Sequence, residues 1–99
     1  MAEAYKNVKQ EYEDLKKSIE DYKNAQNAID QLTAGTDEWR EAIADSNSEV
    51  MELIKQYPEL AKYMTNEGGR LTISDEGLEA VEEAKRQEVN EAQRMSLLA

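Results

Sequence analysis

The chain has 99 residues, of which 22 are acidic and 12 basic, so that its formal net charge is −10. It contains no cysteine and no histidine, which excludes disulfides, thiol nucleophiles and the commonest general base and transition-metal ligand. No apolar run approaches the roughly 20 residues that a bilayer span requires, and no signal peptide is visible. We therefore expect no enzyme, no catalytic residue, no cofactor, no metal site and no membrane contact for this segment.

The negative charge is spread along the chain rather than gathered in a tail. Residues 1–33 carry −2, residues 34–67 carry −5 and residues 68–99 carry −3. Nucleic-acid-binding proteins usually present a basic face, so we expect no nucleic-acid partner. Abundant Ala, Glu, Lys, Leu and Gln, together with periodic apolar residues, favour long helices over a disordered chain.

An apolar seam with alternating steps of three and four residues runs from Tyr5 to Ile29 and is broken only by Gln26. This spacing predicts a helix over about residues 2–33, closed by Gly35. Such a helix is about 48 Å long, whereas a compact chain of this size has a radius of gyration of about 13 Å. The molecule should therefore be elongated.

Three tyrosines lie on this seam, at positions 5, 12 and 22. They could form a stacking platform for bases or sugars. Packing is the preferred interpretation, with each ring buried and its hydroxyl at the rim. Gln26, the polar member of the seam, could set the register between helices.

A second helical segment is predicted over about residues 37–64, with a break at Pro58. Thr36 is a favourable N-cap, and Pro58 has no N–H for the helical hydrogen-bond ladder. Trp39, the only tryptophan, is interpreted as a core or end-capping residue. An exposed hot spot for a partner is the alternative.

Gly68 and Gly69 place a loop at residues 65–70. Residues 71–73 could then form a strap across the helices or a very short strand. Ser74 is expected to cap a third helix over about residues 75–95, whose first turn Gly77 weakens by roughly 1 kcal/mol relative to Ala. The front half of this helix should pack, and its rear half should be mostly solvated.

Together the segments predict an all-α fold, an elongated antiparallel helical hairpin or three-helix arrangement with coiled-coil-like packing, in a single helical domain over residues 1–99. The first helix could fold back on residues 37–64 or pair with another copy. The predicted helix-packing seam consists of Val8, Tyr12, Leu15, Ile19, Tyr22, Ile29, Trp39, Ile43, Val50, Leu53, Tyr57, Leu60, Leu78 and Val81.

Three stretches of sequence resemble segments of the long coiled-coil tail tape-measure proteins of phages and prophages. They are LTAGTDEW at 32–39, LIKQYPELAKY at 53–63 and GRLTISDEGL at 69–78, and the resemblance covers about residues 30–85. It implies a structural or assembly role in an excised fragment of a longer protein, with self-association or other tail and assembly proteins as partners. It also implies a location in the host cytoplasm or the virion, and it transfers no functional residue.

Two further hypotheses remain. The net charge of −10 suggests an acidic protein-interaction module or a nucleic-acid-mimicking inhibitor, which should display rows of carboxylates. A generic partner-binding helical module should instead expose a single patch around Trp39 or Tyr63.

Overall fold

The computed structural model describes residues 2–98, and the side chains of residues 3–97. Three α-helices and one small β-hairpin account for most of these residues. In chain order the elements are α1 (Ala2–Asp30), α2 (Asp37–Gln56), a 3-10 helix (Pro58–Tyr63), β1 (Met64–Glu67), β2 (Arg70–Ile73) and α3 (Asp75–Leu98).

The molecule is a rod that measures 57 × 22 × 17 Å, with a radius of gyration of 16.3 Å. A compact chain of this length would have a radius of gyration of about 13 Å, so the predicted elongated, all-α fold is confirmed. The length follows from α1, whose 29 residues rise about 43 Å without a Gly or Pro to interrupt them.

Helix α1 is the spine of the rod, and the two other helices pack against different parts of it. Gln26 in the C-terminal part of α1 contacts Ser46 of α2. Glu11 in its N-terminal part contacts Lys85 of α3. Few contacts join α2 to α3. The two helices are therefore staggered along the spine and overlap only near its middle.

The core lies where all the elements converge on the middle of α1, a region that we call the waist. Ile54, Tyr57, Tyr63, Met64 and Leu71 pack around its buried cluster. The buried residues of the waist are Leu15, Ile19, Tyr22, Val50, Leu53, Leu60, Ile73, Leu78 and Val81.

The helix ends differ in part from the predicted ones. Helix α1 ends at Asp30 rather than near residue 33. The following residues form tight turns, in which the Leu32 N–H donates to the Ile29 carbonyl over 3.1 Å. Helix α2 begins as predicted, because the Thr36 hydroxyl accepts a hydrogen bond from the Trp39 N–H over 3.2 Å.

Two later boundaries also differ from the predicted ones. Pro58 opens the 3-10 helix, which ends at Tyr63 and not at residue 64. Helix α3 continues to Leu98, beyond the predicted end near residue 95.

The prediction of a loop over residues 65–70 is wrong, because only Gly68 and Gly69 turn. Their φ angles of +62° and +96° fit a two-residue type I′ turn, which matches the twist of paired strands. Glu67 faces Arg70 and Met64 faces Ile73 across the antiparallel pair. Of the two alternatives for residues 71–73, the short strand is therefore the one observed.

Candidate functional site at the β-hairpin

The outer edge of β2 is paired with side chains instead of with a third strand. Asn47 of α2 mimics a neighbouring strand there. Its Nδ2 donates to the Gly69 carbonyl over 2.8 Å, and its Oδ1 accepts from the Leu71 N–H over 2.9 Å. The Asn47 side-chain amide thus pairs one backbone carbonyl and one backbone N–H along this edge. Such backbone groups are costly to leave unpaired when they are buried.

The Tyr22 hydroxyl continues this pairing at the end of the strand. It accepts from the Ile73 N–H over 2.8 Å and donates to the Ile73 carbonyl over 3.3 Å. Burial raises the pKa of Tyr22 above its usual value, because the anion would lose its hydration. The expectation of a tyrosine hydroxyl at the rim is wrong for Tyr22, whose partner is a buried backbone segment.

Gln26 joins three elements through its amide. Its Nε2 donates to Ser46 Oγ over 2.7 Å and to the Leu71 carbonyl over 3.2 Å. Its Oε1 accepts from Arg70 Nε over 3.0 Å and from a terminal guanidinium nitrogen over 2.6 Å. The same guanidinium reaches the Asp30 carboxylate at 3.1 Å. We call Tyr22, Gln26 and Asn47 the clasp.

The clasp fixes the position of the hairpin. Ser46 is completely buried at a seam position, and its small side chain leaves room for the Gln26 amide. Among the described side chains, no buried nitrogen or oxygen lacks a hydrogen-bond partner. The polar atoms of the clasp therefore bind other groups of the fold, and α1 and α2 are both tied to one strand.

Lys85 forms a second polar cluster where α3 crosses α1. Its side chain is only 12% exposed, and its Nζ lies 3.3 Å from Glu11 Oε2 and 3.1 Å from Glu88 Oε2. The Tyr57 ring centroid lies 5.9 Å from the same Nζ. A charged residue can thus occupy a seam position, because its stem packs and its ammonium is paired.

The two central groups of this cluster have shifted pKa values. Burial alone would lower the pKa of Lys85, but hydrogen bonds from its ammonium to Glu88 and Glu11 outweigh burial and raise it. Burial also raises the pKa of Tyr57, against a smaller opposing effect of the Lys85 charge. Both groups therefore keep their protons more firmly than in an unfolded chain.

Gly77 allows the 3-10 helix to approach α3 closely. A Cβ atom at this position would lie 2.5 Å from Cγ and 2.6 Å from Cβ of Tyr63. The sequence marks Gly77 only as a weak point in a helix. The structure shows that the missing side chain makes space for the Tyr63 ring.

The predicted seam residues fall into two groups. Those in the waist, together with Ile29, are buried. The half-buried ones lie toward the two ends of the rod or at the bend before Pro58, and they are Val8, Tyr12, Trp39, Ile43 and Tyr57.

The sequence interpretation missed Asn47 and Arg70 as fixing residues. The sequence contains one feature that points to this cluster, the two polar residues at seam positions, Gln26 and Ser46. They face each other across the antiparallel helices α1 and α2. Their side chains meet over 2.7 Å, and a role for this contact in the register of α1 against α2 stays a prediction. Backbone groups of the hairpin complete the cluster, and no residue type in the sequence marks which backbone groups these are.

None of the described helices combines the length and apolar character needed to cross a membrane. Within residues 2–98 there is also no group of three or more acidic side chains arranged to hold a metal ion. Comparisons with protein-family models, curated proteins and solved structures gave no match.

Proposed function

We propose that this chain is a structural helical segment, a spacer or assembly element of a longer coiled-coil protein such as a phage tail tape-measure protein. The observation that carries the proposal is the rod itself, 57 Å long, whose polar side chains at the waist bind the fold's own backbone. The resemblance over about residues 30–85 supplies the protein class.

The clasp supports a mechanical role. A tensile or compressive load along α1 would pass to β2 through Tyr22 and Gln26, and to α2 through the contact between Gln26 and Ser46. Side-chain hydrogen bonds in a buried setting resist such displacement, because breaking one leaves an unsatisfied polar group. A segment that must keep its length during assembly benefits from this arrangement.

The proposal is tested by tail length in a phage that encodes this segment. In-frame deletion of residues 2–98 should shorten the tail by about 145 Å if the segment acts as one extended helix, at about 1.5 Å per residue. If it acts as the folded rod, the shortening should be near the rod length of 57 Å. A tandem duplication is the matched control and should lengthen the tail equally. Unchanged tail lengths by electron microscopy would refute a tape-measure role.

An acidic interaction module is the second candidate, favoured by the exposed carboxylates on α3. Glu76, Glu79 and Glu83 are all exposed, and their spacing of three and four residues places them in a row along the helix. Such a row should bind cationic nucleic-acid-handling proteins in a salt-sensitive way. Replacement of the three residues by Gln should then abolish binding. The absence of any salt-sensitive complex would eliminate this candidate.

A further inference from the structure

The N-terminal part of α1 and the C-terminal part of α3 form the thin end of the rod. We call residues 3–12 and 84–97 the two-helix end. Helix α2 ends at Gln56, beside a shallow pocket that Glu11 and Lys85 also line, so it borders the two-helix end only at its inner edge. Seam positions that would be buried in a bundle of three or four helices are consequently left partly open here.

The apolar residues of the two-helix end show this incomplete burial. Met95 is 53% exposed and Leu97 is 81% exposed. An open groove of about 530 Å³ lies beside them, with Val8 of α1 on one wall. The other wall belongs to α3 and is part apolar and part polar, formed by Ala84, Gln87, Glu88, Glu91, Ala92 and Met95. The half-buried seam residues beside it are Tyr5, Val8, Tyr12, Val89 and Ala92.

The charge of the two-helix end differs from that of the rest of the chain. Its two segments hold five basic and four acidic side chains, a net charge of +1. All other residues together hold seven basic and eighteen acidic side chains, a net charge of −11. Two acidic rods would repel each other along most of their length, so this end is where a second copy meets the least repulsion.

We propose that two copies of this chain associate through their two-helix ends to form a four-helix arrangement around a two-fold axis. In such an interface the same patch of each copy contacts the other, so no separate complementary surface is required. Four helices around one core would bury the seam residues that two helices leave half-covered. The inference deepens the proposed structural function, on which it rests, by naming the partner and the surface.

The size of the surface is small for a specific complex. Residues 84–97 rise about 21 Å, and two helices side by side are roughly 20 Å across. If a face of this size on each copy is covered by the other, the dimer buries on the order of 1,000 Å² of accessible surface in total. This area is the lower limit for a specific complex. We therefore expect a weak, reversible dimer.

Two methionines of equal exposure provide the test. Met95 lies in the two-helix end, and Met51 lies on the outer face of α2; both are 53% exposed. In sedimentation equilibrium the full chain should approach twice its monomer mass of 11.3 kDa as concentration rises. Met95→Glu should raise the Kd of the dimer by roughly tenfold or more. The reason is that the two-fold symmetry brings two copies of the new negative charge into one interface. Met51→Glu should leave it unchanged, and circular dichroism should show both variants folded.

The geometry of the dimer can be measured independently, because the chain has no native cysteine. A nitroxide on Gln93→Cys should give inter-copy distances below about 40 Å, roughly four helix diameters. A nitroxide on Thr33→Cys, near the opposite end of the rod, should give none in that range. A monomer up to about 1 mM, equal weakening by the two glutamates, or short inter-copy distances at position 33 would overturn the inference. None of these results would alter the tail-length test of the proposed function.

Discussion

Along α1, one spacing of apolar residues meets two different environments. In the waist, Leu15 and Ile19 are 1% and 5% exposed, because α2, α3 and the hairpin all reach this stretch. At the two-helix end, Val8 and Tyr12 occupy equivalent seam positions and are only half-buried. The heptad pattern thus predicts which face of a helix is covered. How completely it is covered depends on where the neighbouring helices stop.

The largest expected effect compares a core truncation in each region. Leu53→Ala removes a side chain that is 2% exposed in the waist and should lower the free energy of unfolding by about 2–5 kcal/mol. Val8→Ala at the two-helix end should cost less than about 1 kcal/mol, since its surroundings are partly water already. Urea unfolding followed by circular dichroism measures both. Equal losses would contradict the distinction between the regions.

The clasp provides the next largest effect. Gln26→Leu keeps the bulk of the side chain but removes the bonds to Ser46, Arg70 and the Leu71 carbonyl. Leaving these groups unsatisfied should cost about 3 kcal/mol. Gln10→Leu is the control, because Gln10 makes one exposed bond to Asp14 and should change stability by less than about 0.5 kcal/mol. If Gln26→Leu lowers the free energy of unfolding no more than Gln10→Leu does, the clasp adds no stability.

Gly77→Ala should destabilise the protein by about 2 kcal/mol, although Ala is the better helix former. The new Cβ would overlap Cβ and Cγ of Tyr63, which cannot move as freely as the tip of a flexible side chain. The helix-propensity gain of about 1 kcal/mol offsets only part of this cost.

A double-mutant cycle with Tyr63→Ala isolates the contact. In the Tyr63→Ala background, the cost of Gly77→Ala should become smaller without disappearing, because the overlapping ring is gone while the Cβ at position 63 remains 2.6 Å from the new Cβ. If Gly77→Ala lowers the free energy of unfolding equally in both backgrounds, the strain does not come from contact with the Tyr63 ring.

The smallest effect depends on pH. Because the pKa of Tyr22 is raised, the stability linked to its protonation is complete below the ordinary value of about 10 and decreases as the pH rises through the higher folded-state value. Tyr22→Phe removes the hydroxyl bonds to Ile73 and should cost about 1.5 kcal/mol at pH 7.

The stability difference between wild type and Tyr22→Phe should narrow above pH 10, as tyrosinate forms in the wild type. Tyr57 and Lys85, whose pKa values are also raised, are present in both proteins, so their contributions cancel in the difference. Urea unfolding at pH 8 and pH 10.5 measures it. A difference that widens with pH would contradict the raised pKa of Tyr22.

Much of the fold could be predicted because local signals agreed. The seam spacing predicted three helices and an elongated shape. Thr36 marked the start of α2, and Pro58 marked the start of the 3-10 helix. The hairpin was predicted poorly, since Thr65, Asn66 and Glu67 are exposed and have no apolar alternation to indicate a strand.

The clasp was the hardest part to foresee. Side-chain amides that bind backbone leave no pattern along the chain, because Asn47 and Gly69 are 22 residues apart and meet only after folding. Gln26 did stand out as the polar position in the first apolar seam, and Ser46 occupies a position in the second. Their partners in the hairpin followed from the tertiary arrangement and not from spacing.

Amide hydrogen exchange at a concentration below any self-association tests the central claim most directly. The claim is that the waist, fastened by the clasp, is the stable unit of the rod and that the two-helix end opens more readily. The Leu71 and Ile73 amides, which donate to Asn47 and Tyr22 side chains, should exchange as slowly as the α1 amides of residues 15–22. Amides of α1 residues 5–12 should exchange at least about tenfold faster, through local opening. Uniform protection along α1, or rapid exchange at Leu71 and Ile73, would contradict the account.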